Sequence, residues 1–335
     1  MYILGIESSC DDTSIAILED DKVIINLISS QHFHSKYGGI VPELASRAHL
    51  EVISELVIDA LSQSNLTMKD IDAIGVTTNP GLVGSLLVGA NFAKGLSIKY
   101  GIPVVPVNHI EGHIYSGNIQ NPNLDFPLIS LVVSGGHTAI FKVNSYSEYE
   151  LIGSTIDDAA GEAFDKIAKL IRKTYPGGPI IDKLAKSGDT KKYDFPRSLK
   201  HQKNYNFSFS GLKTSVRYFV QKEFPNGLKE EDLPDICASV QEAIVDILVY
   251  KTILASKEYN IKTIVIGGGV SANSRLRGKF NEYQKEEYQI IIPDMEYCLD
   301  NAAMIGNIAF NKLNNSEISK YMNLDFVVNS NPIRA

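Results

Sequence analysis

His109-Ile110-Glu111-Gly112-His113 is the sharpest metal-binding pattern in the chain. On a helix, residues four apart share a face, so two imidazoles at this spacing can hold one ion. The run is not HExxH: its glutamate is the third residue, about 100° further round a helix from where a metalloprotease needs its base. Two histidines leave a site incomplete, and Asp300, in Cys298-Leu299-Asp300-Asn301, is the candidate third ligand. A His2Asp set with open positions suits Zn2+ and Fe2+ alike.

Other segments read as binding surfaces. After the strand Ile264–Ile266, the run Gly267-Gly268-Gly269-Val270-Ser271-Ala272-Asn273 opens a helix, where successive glycines admit a close ligand and the helix N-terminus attracts an anion. Between Asp157 and Asp182 carboxylates alternate with glycines. Asp158, Glu162 and Asp165 are spaced for one helical face, either as a solvated acidic first turn or as acceptors for ribose or a substrate amine. Asn79-Pro80-Gly81-Leu82-Val83-Gly84-Ser85 lacks the Gly-Lys-Ser/Thr of a Walker loop, and GxGxxG spacing is absent.

A formal charge of −7 argues against a polyanionic partner until its distribution is followed. From Lys166 to Lys222 there are 14 Lys and Arg against only Asp182, Asp189 and Asp194, a local +11 that leaves −18 elsewhere. Tyr193, Phe195, Tyr205, Phe207, Phe209 and Tyr218 are interleaved with these cations. Cations that neutralise phosphates beside aromatics that stack on bases point to RNA, with Lys191, Lys192, Arg197, Lys200 and Lys203 as the candidate contacts.

The elements that must position these residues come from an internal repeat. Leu4–Ile15 aligns without a gap on Ile129–Ile140, 125 residues later, each copy reading strand, small-residue turn, strand. Ser9 matches Ser134 and Thr13 matches Thr138. Strand and helix patterns follow each copy in similar order, so the expectation is an α/β protein of two lobes, 1–125 with about 300–335, and 126–299. Duplicated lobes that each offer a phosphate-facing hairpin resemble the actin, Hsp70 and sugar-kinase fold with its central nucleotide cleft. Cys10, Cys237 and Cys298 form neither a disulfide framework nor a cysteine-rich zinc site, and a reducing compartment is expected. No basic residue precedes Lys22 and no apolar run approaches about 18 residues, so the expectation is a cytoplasmic protein with no membrane partner.

Seven motifs, in order over essentially the whole chain, resemble the bacterial branch of the TsaD family: Glu7-Ser8-Ser9-Cys10-Asp11, Tyr37-Gly38-Gly39-Ile40-Val41-Pro42-Glu43, His109-Ile110-Glu111-Gly112-His113, Val133-Ser134-Gly135-Gly136-His137-Thr138, Gly161-Glu162-Ala163-Phe164-Asp165-Lys166, Phe207-Ser208-Phe209-Ser210-Gly211 and Gly268-Gly269-Val270-Ser271-Ala272-Asn273. Its members, once described as glycoproteases, are the transferase subunits of the tRNA threonylcarbamoyladenosine machinery. The resemblance implies transfer of threonylcarbamoyl from threonylcarbamoyl-AMP to N6 of the adenosine at position 37 of tRNAs reading codons that begin with A. It implies Fe2+ or Zn2+ on His109, His113 and Asp300. Val132, Val133, Ser134, Gly135, Gly136, Asp165, Gly178, Asp182 and Asn273 would contact the adenylate, and Asp11 or Asp12 would orient or deprotonate the amine. The implied partners are a smaller paralogous TsaB-type subunit and a TsaE-type P-loop ATPase, with the adenylate made by a TsaC-type synthase. Two positions depart from the family: Asp12 where Glu is usual, and Asn79 where Gly is usual, Asn being able to keep a left-handed turn. An ATP-dependent scaffold and a metallopeptidase are the alternatives; the first leaves the histidine pair and basic segment unexplained, the second has its glutamate misplaced.

Overall fold

Tyr2-Ile3-Leu4-Gly5-Ile6-Glu7 is rich in strand formers, and in the computed structural model, which describes residues 1–37, 39–121, 124–146, 148–284 and 288–331, it forms β1 (Tyr2–Glu7), buried along nearly its whole length. β1 pairs antiparallel with β2 (Asp12–Glu19), and β2 with β3 (Lys22–Ser30). Next come α1 (Pro42–Gln63), which starts on a proline whose missing N–H costs nothing there, β4 (Ala73–Asn79), α2 (Val83–Tyr100), β5 (Val104–Asn108) and α3 (His109–Ile114). The sheet order is β3-β2-β1-β4-β5, with β4 parallel to β1 and β5 parallel to β4. Asn79 ends β4 without entering the left-handed region, so its departure from glycine needs no special backbone.

The chain then builds a second unit, Asp125–Ile292. β6 (Leu128–Val133), β7 (Thr138–Ser145) and β8 (Glu148–Ser154) form an antiparallel meander. α4 (Ala160–Leu170), α5 (Gly177–Ala185), α6 (Ser210–Glu223) and α7 (Leu233–Tyr259) follow, then β9 (Thr263–Gly267), α8 (Ser274–Gln284) and β10 (Gln289–Ile291). The order β8-β7-β6-β9-β10 repeats that of the first sheet. Even the hairpin register repeats: Leu4 faces Ile17, and 125 residues on Ile129 faces Lys142. α9 (Met295–Cys298) and α10 (Ala302–Asn314) return to the first unit, Met1–Leu124 with Pro293–Ala335.

Each unit has its own core. Leu4, Ile6, Ile15 and Ile17 pack with Ile53, Val57 and Val76 in the first, and Leu131, Ile140 and Phe164 with Ile244 and Leu248 in the second. Gly5 allows β1 and α10 to touch backbone to backbone: a Cβ there would stand 2.3 Å from the Ala302 carbonyl oxygen. α4 begins at Ala160, so Asp158 lies ahead of the helix and the expected carboxylate face is broken. Its carboxylate pairs instead with Lys166 at 2.6 Å. Among the described residues no helix is long and apolar enough to cross a membrane.

Candidate active site

Capped helix ends bring the candidate metal ligands together inside the first unit. Asn108 caps α3, accepting the amides of Ile110 (2.7 Å) and Glu111 (3.3 Å), so His109 is the first helical residue and His113 lies one turn on along the same face. Asn301 caps α10 by accepting the amide of Met304 at 3.0 Å, which sets Asp300 just ahead of that helix. Asp300 Oδ1 stands 3.1 Å from His113 Nε2 and 3.5 Å from His109 Nε2, and ligand atoms of the three residues all lie within 4.8 Å of one another.

Behind His109 is a layer that sequence reasoning did not assign, although its glutamate stood in the opening motif. His109 Nδ1 is 3.1 Å from Glu7 Oε2 and 3.1 Å from Ser9 Oγ. Buried Glu7 also accepts from Ser9 N (2.6 Å) and Thr77 Oγ1 (2.5 Å). A histidine held at Nδ1 presents Nε2 to an ion. Burial disfavours the His109 imidazolium, but the carboxylates of Asp300 and Glu7 outweigh it and hold the ring up at about 9. Burial likewise penalises the Glu7 carboxylate, and His109 more than offsets it, pulling Glu7 below its usual range.

Asp11 and Asp12 end the same turn. Burial, then the charge of Asp300, pushes Asp11 up. Burial, opposed by a hydrogen bond with Ser30 and reinforced by Asp300, Asp11 and Glu7, pushes Asp12 up to about 7. Two Nε2 atoms and a carboxylate oxygen converging amid such crowded negative charge fit a divalent cation. Glu111 is tied to Lys312 at 2.7 Å.

In the second unit the other motifs gather beyond the C-terminal ends of the parallel strands β6 and β9, where open α/β sheets bind ligands. Val132 and Val133 are fully buried in β6 and offer only backbone; Gly135 and Gly136 stand exposed in the turn that follows, closed by Ser134 N donating to the His137 carbonyl (2.8 Å). Gly268 (φ 90°) brings the second turn against β6, where a Cβ would lie 2.5 Å from the Val133 carbonyl oxygen. Asp165 accepts the Gly177 amide (2.6 Å) and so holds the first turn of α5, which includes Gly178. Asp182 accepts from Ser274 N (3.2 Å) and Oγ (2.7 Å) at the start of α8. Asn273 Oδ1 accepts the amides of Arg275 (3.1 Å) and Leu276 (3.0 Å), and its Nδ2 donates to Gln241 (2.8 Å). These polar groups thus fasten the turns to one another. Ser271 Oγ is buried there with no hydrogen-bond partner among the described residues.

Residues 22–307 match the family model described as TsaD: tRNA N6-adenosine threonylcarbamoyltransferase. The chain belongs to the TsaD family. A curated relative from Thermosipho africanus, named tRNA N6-adenosine threonylcarbamoyltransferase, is 50% identical over 331 residues, 98% of this chain and 99% of that protein. One of the same name from Caldicellulosiruptor bescii is 51% identical over 324 residues, 96% of each. Among solved structures, component A of (R)-2-hydroxyglutaryl-CoA dehydratase from Acidaminococcus fermentans is 15% identical, with TM-score 0.57 over 93% of this chain and 98% of that one. HypF of T. kodakarensis is 14% identical, with TM-score 0.63 over 96% of this chain and 49% of that one. These two share the fold of this chain, with its two five-stranded mixed sheets flanked by helices.

The basic segment of this TsaD-family chain differs from its sequence reading. Phe195, Phe207 and Phe209 are buried in the core of the second unit and unavailable for base stacking, and the half-buried Tyr193 and Tyr205 pack against that core. Tyr218 alone of the six is exposed, at 67%. Arg197 is bound to Asp246 (2.8 and 3.0 Å) and to Asp194 (2.8 Å), which neutralises it locally. Lys200 lies over the Tyr250 ring at 5.5 Å, while Lys191, Lys192 and Lys203 are exposed. Gly38 of the Tyr37–Glu43 motif lies outside the described residues.

Proposed function

We infer that this protein is a tRNA N6-adenosine threonylcarbamoyltransferase, moving threonylcarbamoyl from threonylcarbamoyl-AMP to N6 of adenosine 37 and releasing AMP. The observation that carries the reading is the near full-length identity, 50% over 98% of the chain, to a curated enzyme of that name. His109, His113 and Asp300 would hold Fe2+ or Zn2+, which when bound supplies fixed positive charge for an anionic donor. Glu7 and Ser9 keep the His109 ring in one orientation.

Exposed amides of Gly135 and Gly136 suit the phosphate. Asp165 and Asp182 keep free lone pairs for ribose hydroxyls beyond those given to α5 and α8. As the bond from N6 to the carbamoyl carbon forms, the bond from that carbon to the phosphate oxygen of AMP breaks, AMP leaves with the electron pair, and the amine loses a proton. An aniline-like amine needs little activation, so that proton leaves as or after the bond forms, and Asp11 or Asp12 would receive it. A TsaB-type subunit, a TsaE-type ATPase and a TsaC-type synthase complete the reading, and a tRNA substrate supports a cytoplasmic protein.

Purified protein, preformed threonylcarbamoyl-AMP and unmodified tRNA, with and without the partner proteins, should yield modified nucleoside and AMP. No product in any combination overturns the reading, and ATP turnover without product favours a scaffold instead.

A further inference from the structure

A cavity of about 600 Å³ lies between α4 and α6 in the second unit, lined by none of the residues assigned to the adenylate. α4 contributes Lys166, Lys169 and Leu170 to it; α6 contributes Lys213, Arg217 and Val220. These are the outward faces of helices whose other sides, with Phe164 and Ile167 on α4 and Leu212 and Val216 on α6, are buried in the core. Spacings of three and four residues therefore put the cations side by side where like charges repel.

Among the described residues no carboxylate lines the cavity. The nearby acids are directed elsewhere: Asp158 and Glu162 both bind Lys166 (2.6 and 3.0 Å), Asp165 holds the Gly177 amide, and Asp157 holds the start of α6 through the amides of Phe209 (2.8 Å) and Ser210 (3.2 Å). Lys169, Lys213 and Arg217 are exposed and make no hydrogen bond or ion pair among the described residues. Arg197 in the neighbouring loop has two carboxylate partners by contrast. Three uncompensated cations of this segment, Lys169, Lys213 and Arg217, thus share one concave surface.

We propose that this cavity is a docking subsite for the phosphodiester backbone of RNA, with Lys169, Lys213 and Arg217 neutralising phosphates and Leu170 and Val220 forming an apolar floor for the sugar. The inference rests on the tRNA reading above and locates the contact on helices, where the side chains are better positioned than on the Lys191–Lys203 loop.

The test measures binding of unmodified tRNA to the full chain as a function of salt, for wild type and for Lys169→Ala, Lys213→Ala, Arg217→Ala combined. The variant should bind on the order of 100-fold more weakly at about 0.1 M salt, and the slope of log K against log[salt] should fall by about 2 to 3, since each neutralised phosphate contributes about 0.7 to 0.9. The charge-conserving set Lys169→Arg, Lys213→Arg, Arg217→Lys should restore the slope. If the triple variant fails to fold, Lys213→Glu alone, at an exposed helical position, should still weaken binding. Unchanged affinity and slope overturn the proposal, as does no binding by wild type. So does a variant that loses inorganic phosphate in equilibrium dialysis while keeping tRNA, since the ligand would then be a small phosphate. A wild type that makes product, paired with a variant that binds tRNA equally, breaks the cavity inference and leaves the function. A wild type that binds tRNA through these cations yet makes no product does the reverse.

Discussion

The two hairpins β1–β2 and β6–β7 have the same register and the same sheet neighbours, yet opposite chemistry at their turns. With the 125-residue offset, Glu7 corresponds to Val132, Ser9 to Ser134, Asp11 to Gly136 and Asp12 to His137. In the first unit the turn is a cluster of carboxylates gathered behind an imidazole pair. In the second it is exposed backbone with an apolar anchor beneath. One scaffold therefore holds a cation-seeking turn and an anion-tolerant one, and the difference lies in a handful of side chains and in what packs behind them.

Removing the ligands should have the largest effect. His109→Ala with His113→Ala should abolish metal retention, measured by elemental analysis, and lower transfer by roughly 10³-fold, about 4 kcal/mol of transition-state stabilisation. Unimpaired transfer would remove the metal from the reaction.

Exchanging the equivalent residues tests the contrast directly. Val132→Glu buries a carboxylate that has no imidazole partner, and urea unfolding should show a loss of about 3–5 kcal/mol. Glu7→Gln keeps the shape while removing the charge facing His109, and metal affinity should fall about 10–100-fold with little change in fold.

The raised pKa of Asp12 makes stability depend on pH in a defined direction. In metal-free protein the folded state keeps this proton up to about 7, against a usual value of 3.8. Its contribution is therefore fully present below pH 3.8 and is lost as pH rises toward about 7. Urea midpoints between pH 4 and 8 should fall more steeply for wild type than for Asp12→Asn.

The smallest effects belong to a position the two hairpins share. Thr13 Oγ1 meets His49 Nδ1 at 2.7 Å, and Thr138 Oγ1 accepts the Ala160 amide at 2.9 Å. Thr13→Val and Thr138→Val should each cost about 1–2 kcal/mol in urea unfolding, since each leaves a buried polar group unmatched.

Much of this was legible without coordinates, because local patterns report local structure. The repeat set the hairpin register, and the spacing of His109 and His113 placed both rings on one face. α5 was not legible: Gly177-Gly178-Pro179 reads as a loop, and the helix forms because Asp165 holds its first amide and Gly177 fits closely against α4, where a Cβ would lie 2.5 Å from that of Ala168. Nor was the burial of Phe195, Phe207 and Phe209, since a loop has no periodicity to tell an inward aromatic from an outward one.

The sequence by itself determined the duplicated α/β plan, the family, and which residue types are present to bind a metal and a polyanion. Only the tertiary structure decided which of them are engaged. Glu7 reaches His109 across 102 residues, and Arg197 is neutralised by an aspartate 49 residues away. Charge compensation and burial depend on distance in space, and a linear pattern carries that only within a helix turn or a strand pair. For this reason the count of 14 cations announced a polyanion surface, whereas the three left uncompensated in one cavity appeared only with the fold.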